Sequence, residues 1–405
     1  MKSMLAKVSP AALCVALAGP AFAGPTYEAP GGGTMTWYGH LNAGVASVND
    51  GDETNTKFGD GSNSSSRLGL RVAQPLGNGM TFRFRGEASL GFTGLADYDQ
   101  DGITNNPGWT RGNIRHFDFS LGGDFGTLWA GQGSMSADGI ANNAFSDVGL
   151  VLYTANSDFN ASYAFVNEAT GAPSGVAVGD AYDDLGGSRR GRVRYDSPEF
   201  AGFSASASWG KNILSSGDDN DYSDVVLSYN NEFGAVDVTG AVAYQYVKFD
   251  GGGSENAWVG SVGIGFDNGL SFSVASGKAN TTNDENYYYL QAAYDADFFS
   301  VGKTALGVDY FSGEDYNSAG SKSEIVGIGA VQYFDKQNVE AYLTYQMHSF
   351  DEVATNYKDV STFALGAWRA PIGWSGLIVS ASLVSGPSAR CFPARAGGSP
   401  KRCAA

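Results

Sequence analysis

Cysteine is almost missing from this chain. The 405 residues contain three cysteines, Cys14, Cys391 and Cys403, so the long stretch between Gly24 and Arg390 has none. This excludes the class of secreted domains held together by disulfides. Positive charge is also scarce, because 25 lysines and arginines stand against 42 aspartates and glutamates, a net charge of −17. A nucleic-acid partner is excluded for that reason, since phosphate binding needs a basic surface.

Apolar runs long enough to cross a bilayer as a helix are absent as well. The run 11–18 is too short for this. It follows Lys2 and Lys7 and precedes Ala21-Phe22-Ala23, a pattern typical of a secretory signal peptide. We predict a cleaved signal peptide over residues 1–23, export of the remaining chain, and no transmembrane helix.

The chain does contain a recurring stretch of about ten residues in which apolar and polar side chains alternate. Val225, Leu227 and Tyr229, for example, alternate with residues that include Asp224 and Ser228. A period of two places the two sets on opposite faces of a β-strand. A soluble sheet would bury the apolar face in a core, whereas a membrane barrel turns it to lipid and encloses water with the polar face.

The connections between these stretches favour the barrel. One strand, seven hairpins and a final strand from about Asp359 give 16 antiparallel strands, with a polar loop over 49–66. Short turns alternate with long polar loops, which is the asymmetry of an outer-membrane barrel. Aromatic residues near six of the seven short turns fit an interfacial girdle or a general preference for strand ends: Phe125, Phe200, Phe233, Phe266, Phe298 with Phe299, and Phe334. We predict an all-β, up-and-down transmembrane barrel.

The same alternation assigns arginines of three strands to the polar, lumen-facing side. An arginine that faces lipid at mid-depth would cost roughly 2–4 kcal/mol, which supports the inward assignment. The arginines placed there, as a candidate basic wall, are Arg67, Arg71, Arg83, Arg85, Arg192 and Arg194.

One acidic segment copies the start of an EF-hand calcium loop. Asp97, Asp99 and Asp101 are spaced so that their oxygens converge on one hard cation, and Gly102 follows them. The twelfth position is Gly108, where an EF-hand has glutamate, so the motif is incomplete. A surface Ca²⁺ site and a solvated acidic loop are both compatible with this segment.

Several short sequence motifs, in this order and spacing, resemble those of the Gram-negative general-diffusion porins, especially the porins of alpha- and beta-proteobacteria. The matching motifs are Trp37–Gly44, Ser66–Arg71, Gly77–Thr81, Leu121–Leu128 and Arg194–Phe203. The resemblance covers roughly 35–367 of the chain. It implies a homotrimeric, 16-stranded barrel in outer-membrane lipid and lipopolysaccharide, with a water-filled channel for ions and small hydrophilic solutes. It also implies no enzymatic activity and no required cofactor.

The resemblance further implies that the third long loop, 133–188, folds into the lumen and narrows it. The residue pattern alone would also permit a small domain or an extracellular flap. Acidic residues on this loop would then face the basic wall across a constriction, although some of them could simply solvate the loop. The candidates are Asp138, Asp147, Asp158 and Glu168, and the loop also carries Asp180, Asp183 and Asp184.

The end of the chain departs from the family pattern. Porins of this kind end on a strand whose last residue is phenylalanine, whereas this chain continues from a barrel over 24–367 to Ala405. The tail 368–405 contains no aspartate or glutamate, and we interpret it as foreign to the barrel, for example a frameshifted end. The alternative makes Ser375–Leu383 an additional strand of an 18-stranded barrel.

Two functions of other classes stay open from the sequence. One is an outer-membrane β-barrel enzyme, such as a protease or phospholipase, and the other is a secreted β-rich adhesin. The sequence shows no Ser-His-Asp, Cys-His or H-E-x-x-H arrangement that would support the enzyme. The leading prediction is therefore a passive channel.

Overall fold

Sixteen antiparallel strands close into one barrel. The computed structural model describes residues 26–29, 31–104 and 108–369. The barrel strands are β1 Gly33–Asn49, β2 Arg67–Gly77, β3 Met80–Ser89, β4 Ile114–Gly123, β5 Gly126–Ser134, β6 Arg189–Asp196, β7 Phe203–Lys211, β8 Asp221–Phe233, β9 Val236–Lys248, β10 Ser254–Phe266, β11 Leu270–Asn280, β12 Asn286–Phe299, β13 Gly302–Glu314, β14 Lys322–Phe334, β15 Val339–Glu352 and β16 Val360–Arg369. Each strand pairs with the next, and β16 pairs back onto β1. The predicted 16-stranded barrel is confirmed, and its closure leaves no gap for two further strands.

Each strand turns alternate side chains outward and inward. On β8, Val225 and Leu227 are 53% and 49% exposed, whereas Asp224 and Ser228, which flank them, are 5% and 8% exposed. The outward apolar side chains continue from strand to strand, as in Phe272 on β11 and Ile328 on β14. A continuous apolar surface of this kind marks contact with lipid or with another protein. The polar face is therefore the inner one.

The predicted aromatic girdle lies at the end of the barrel where short turns join the strands. Phe125, Phe200, Phe233, Phe298 and Phe299 are all exposed there. Aromatic rings at this depth fit the headgroup region of a membrane. Within the described ranges, no helix is both long and apolar enough to span a bilayer.

Two predicted boundaries differ from the structure. The predicted polar loop 49–66 contains a strand, Thr54–Asp60, which pairs with the second half of the 17-residue β1. The strand is mostly polar, so the alternation of apolar and polar residues does not reveal it. The last strand continues to Arg369, two residues past the predicted end of the barrel. The predicted signal peptide 1–23 and the tail from 370 onward, with the alternative strand Ser375–Leu383, lie outside the described residues.

Candidate pore constriction

The long loop between β5 and β6, residues 135–188, lies inside the barrel. Its backbone and side chains bond to inward-facing side chains of five different strands, at 2.9 Å in each case. The bonds are Ala137 N to Asp224 Oδ2 on β8, Asn143 Nδ2 to Ser261 Oγ on β10, Gln291 Nε2 on β12 to Leu152 O, His348 Nε2 on β15 with Asn156 O, and Asn160 Nδ2 to Thr362 Oγ1 on β16. The prediction that this loop folds into the lumen is confirmed.

A small apolar core joins the loop to the wall. Phe159, Tyr163 and Phe165 of the loop are at most 1% exposed. The Phe165 ring centroid lies 5.4 Å from that of Phe350 on β15. Each buried aromatic side chain contributes roughly 1.5–3 kcal/mol relative to an exposed one. The loop is therefore a packed part of the barrel wall rather than a free flap.

Glycines on the inner face of the wall make room for this packing. A Cβ atom on Gly329 of β14 would lie 2.7 Å from Val151 Cγ2, and one on Gly307 of β13 would lie 2.9 Å from Val148 Cγ1. Side chains at these positions would therefore push the loop off the wall.

We expect Gly329→Val to destabilise the barrel by about 1–3 kcal/mol, because the added atoms overpack the contact with Val151. Urea unfolding of the detergent-solubilised protein measures this. Ala330→Val is the matched control, since Ala330 pairs with the outward-facing Leu306 and Leu343. Equal stability of the two variants would contradict close packing of loop and wall.

Charge is separated around the barrel. Strands β1–β6, here called the basic arc, carry nine arginines, no lysine and only three carboxylates. Strands β7–β16, the acidic arc, carry thirteen carboxylates and six lysines or arginines. Since the loop lies against β8–β16, it covers much of the inner face of the acidic arc. The basic arc is then the part of the strand wall that the loop leaves uncovered, and the loop itself carries seven carboxylates and no lysine or arginine.

Two inward carboxylates hold the arginines of the basic arc in place. Glu87 Oε1 on β3 lies 2.8 Å from Arg115 Nε and 3.5 Å from Arg67 Nη1, and Glu87 Oε2 accepts a bond from the Tyr38 hydroxyl at 2.7 Å. The guanidinium carbon of Arg71 lies 4.3 Å from the centroid of the Tyr38 ring, a cation–π contact. The predicted residues Arg67 and Arg71 are thus brought together on one wall.

The second carboxylate is Asp118 on β4, which is completely buried. Its Oδ2 lies 2.8 Å from Arg192 Nη2 and 3.5 Å from Arg85 Nη2. Arg83, on the same face of β3 as Arg85, is exposed. Arg83 and Arg85 therefore belong to the same inner wall as Arg67 and Arg71.

Arg192 and Arg194 on β6 differ from the other predicted wall residues because they donate hydrogen bonds to the start of the loop. Arg192 Nε donates to Ser134 O at 3.0 Å, and Arg194 Nη1 donates to Met135 O at 2.9 Å. Both acceptors lie where the loop leaves β5. These two arginines therefore fix the start of the loop, and the side chain of Arg192 is only 2% exposed.

The structure adds two arginines to the wall that the strand pattern does not identify. Arg115 reaches Glu87 because the pairing of β3 with β4 shifts between Glu87 and Ala88. That irregularity breaks the alternation by which inward residues were assigned. Arg189 is the first residue of β6, where alternation has not yet begun. The sequence offers one signal for Arg115 and Arg189, which is that each lies next to the end of a predicted strand.

Of the four predicted acidic residues of the loop, the structure brings Asp138 to an arginine. Asp138 Oδ2 lies 3.9 Å from Arg189 Nη1. Asp147 pairs with Lys303 of β13, and Asp158 accepts a hydrogen bond from Tyr153 within the loop. Glu168 is exposed at the end of a small hairpin formed by Ala164–Val166 and Pro173–Ala177. The last three residues stay predictions as lining groups.

A further acid of the loop is Asp184, which lies outside the membrane-spanning strands. Burial, reinforced by the neighbouring Asp183, raises the pKa of Asp184 to about 7. Asp184 Oδ2 accepts a bond from Asn142 Nδ2 at 3.3 Å. Asp184 is therefore harder to ionise than an ordinary aspartate.

The acidic segment with Asp97, Asp99 and Asp101 forms turns. Asp97 Oδ2 accepts from Gly94 N at 2.8 Å, and Asp99 Oδ1 accepts from the backbone amides of Asp101 and Gly102 at 2.9 and 2.8 Å. Across the residues that the structure describes, no group of three His, Cys, Asp or Glu side chains is arranged to hold a metal. The Ca²⁺ site stays a prediction, and these bonds favour the solvated turn.

A family model described as Gram-negative porin matches residues 10–352. No curated protein matches the chain. Solved structures with a similar fold include an anion-selective porin from Comamonas acidovorans, which is 18% identical at a TM-score of 0.54. The match covers 84% of this chain and 99% of that chain.

Two further solved structures match over similar lengths. OmpF of Salmonella typhi, in complex with daunomycin, is 16% identical at a TM-score of 0.54 and is matched over 85% of this chain and 100% of that chain. OmpT in a trimer form, an outer-membrane protein of Vibrio cholerae, is 14% identical at a TM-score of 0.54, with 84% and 99% covered. At these identities the likeness concerns the fold alone.

Proposed function

Since the chain belongs to the Gram-negative porin family, it is an outer-membrane channel for ions and small hydrophilic solutes, and we propose that its pore favours anions over cations. The observation that carries this proposal is the separation of charge around the lumen. The solute path lies along the basic arc, where nine arginines outnumber three carboxylates. The net charge of the whole chain has the opposite sign.

The carboxylates of the basic arc lie deeper than its arginines, which makes the surface of this wall more positive. Glu87 and Asp118 have side chains 8% and 0% exposed, whereas those of Arg85, Arg115 and Arg189 are 18%, 22% and 35% exposed. On the basic-arc side of the lumen, a solute therefore meets guanidinium groups first and carboxylates only behind them. Charges of one sign in a narrow path with low-dielectric walls raise the local concentration of the opposite ion.

Conduction requires no reaction step, and we propose that the protein has no enzymatic activity. Reconstitution into a planar lipid bilayer tests this function. Stepwise increases of KCl current are expected, together with no hydrolysis of peptide or phospholipid substrates by the same preparation. A protein that stays in solution without detergent and adds no conductance would overturn the channel proposal.

We expect the native assembly to be a homotrimer surrounded by outer-membrane lipid and lipopolysaccharide. An unheated sample should then migrate on an SDS gel at the trimer position and shift to the monomer position after boiling. N-terminal sequencing of the membrane-extracted protein should begin at Gly24, because Ala21-Phe22-Ala23 matches a cleavage site. A monomer before heating, or an intact Met1, would contradict the respective proposal.

A further inference from the structure

The outer surface of the barrel is hollowed along strands β11–β15. Two adjoining hollows, of about 640 and 500 Å³, lie between outward side chains of these strands. Both are lined by Ala292 and Val308, so together they form one apolar groove. Ala292 lies opposite Phe272 on β11, and its small side chain keeps the floor of the groove low. A groove of this kind gives an acyl chain more atomic contacts than a convex wall does.

The groove leads toward the extracellular end of the barrel. It begins at Tyr294 and Leu306, near the short turns, and continues to Val274 and Tyr310. Short turns mark the periplasmic side of outer-membrane barrels, and long loops mark the extracellular side. On the same outward face of β11, Lys278 follows Val274 by four residues, roughly 13 Å further toward the long loops. A lipid headgroup at Lys278 therefore stands above the β11 side of the groove.

The side chains beside Lys278 suit a sugar. Its cross-strand neighbours are Trp258 on β10 and Asn286 on β12. Trp258 is 56% exposed, and its ring centroid lies 4.9 Å from that of Tyr244. An exposed indole offers an apolar face to the C–H groups of a sugar and an N–H donor to its hydroxyls. The Asn286 amide both donates and accepts hydrogen bonds, as sugar hydroxyls do.

The charge of Lys278 is available to an anion. In the part of the chain that the structure describes, the lysines with a carboxylate partner are Lys211, Lys303 and Lys358. On the β12 side of Lys278, the first outward carboxylate is Glu314, which lies beyond Asn286 and opposite Lys322. A lysine ammonium binds phosphate as a point charge through charge-assisted hydrogen bonds. The outer face thus places a cation beside an aromatic ring and an amide, above an apolar groove.

We infer that Lys278, Trp258 and Asn286, with the groove below them, bind one molecule of lipopolysaccharide through its lipid A part. Lipid A combines the required chemistry, because it carries phosphates and acyl chains on an amino-sugar disaccharide. Its phosphate pairs with Lys278, its sugar lies against Trp258 and Asn286, and one acyl chain fills the groove along Ala292. This inference rests on the proposed outer-membrane channel and adds a defined lipid ligand to it.

The test is a titration of the delipidated protein in detergent with purified lipid A, in which native mass spectrometry counts the bound lipid. The wild-type protein should retain one lipid A per protomer at saturation. Lys278→Gln should bind roughly tenfold more weakly, because the charge-assisted contact with phosphate is lost. Ala292→Phe should weaken binding by a similar factor, since the added ring fills the groove from outside the barrel.

Two matched controls make the same chemical changes elsewhere on the outer face. Lys322→Gln removes an outward lysine at the same height, one that lies opposite Glu314 and Asp351. Ala207→Phe adds an outward ring on β7, opposite Val225 and outside the groove. Both controls should bind lipid A as the wild type does. Heat-modifiable gel mobility shows that each variant is folded.

The outcomes separate the lipid site from the channel. Absence of retained lipid A, as when a second copy of the chain covers the groove, overturns the site, and so does binding that Lys278→Gln and Ala292→Phe leave unchanged. If phosphatidylglycerol competes as well as lipid A, the groove does not select a sugar headgroup and the assignment is wrong. Conductance in phospholipid bilayers is measured separately. Conductance without lipid A binding overturns the site alone, and lipid A binding without conductance overturns the channel alone.

Discussion

Asp118→Asn is expected to destabilise the folded barrel by about 3–5 kcal/mol, the cost of removing one partner of a buried ion pair. Asp118 is completely buried, and its Oδ2 lies 2.8 Å from Arg192 Nη2, whose side chain is itself 2% exposed. The amide leaves Arg192 charged, buried and without its counter-charge. Urea unfolding of the protein in detergent micelles measures the loss as a lower transition midpoint.

Asp118→Asn should also loosen the start of the loop, because Arg192 donates a hydrogen bond to Ser134 O where the loop begins. The control is Asp124→Asn, since Asp124 is exposed in the turn between β4 and β5. The double variant Asp118→Leu with Arg192→Met should recover part of the stability, as apolar replacements of buried pairs often do. If Asp118→Asn stayed within about 0.5 kcal/mol of the wild type, the usual range of surface substitutions, the ion pair would not stabilise the wall.

The second large effect concerns selectivity. Replacing Arg71, Arg83 and Arg85 together by glutamine is expected to lower the anion-to-cation permeability ratio by on the order of tenfold. Each charge acting across about 8 Å of water contributes roughly 0.5 kcal/mol, which screening by about 0.15 M salt lowers to roughly 0.2 kcal/mol. Three charges then change the partition of chloride and of potassium by about 0.6 kcal/mol each, with opposite signs, which is on the order of tenfold in their ratio. Reversal potentials in a KCl gradient measure the change, which should shrink as ionic strength rises.

The matched control removes the same number of positive charges elsewhere. Lys248, Lys278 and Lys322 are exposed residues of the acidic arc, and their replacement by glutamine leaves the net charge of the chain equal to that of the arginine variant. We expect the lysine variant to keep the wild-type ratio. A similar decrease in both variants would show that total charge, rather than the basic arc, sets selectivity.

The strands and most of the inner wall could be predicted from the sequence because a two-residue period decides both. Phe82 and Phe84 turn outward, and this alone places Arg83 and Arg85 inward. The same rule misses Arg115, where the irregular pairing near Glu87 interrupts the period. It also treats Arg192 and Arg83 alike, although one is locked onto the loop and the other is exposed. The alternation predicts whether a side chain points inward or outward, whereas its bonding partners depend on the neighbouring strands.

The path of the loop could not be predicted from its own residues. Its position depends on contacts with distant strands, such as Asn160 with Thr362, and on glycines of the wall such as Gly329. Neither leaves a local pattern in residues 135–188. For the same reason the acids Asp147 and Asp158 could be placed on the loop, while their partners, Lys303 and Tyr153, could not.

The zero-current potential of the wild-type channel in a KCl gradient tests the central claim most directly. The lumen is water-filled and lined on its open side by the basic arc, so chloride should cross faster than potassium. The dilute side should then become negative relative to the concentrated side. A dilute side that becomes positive would show that cations pass preferentially and would contradict this account of the pore.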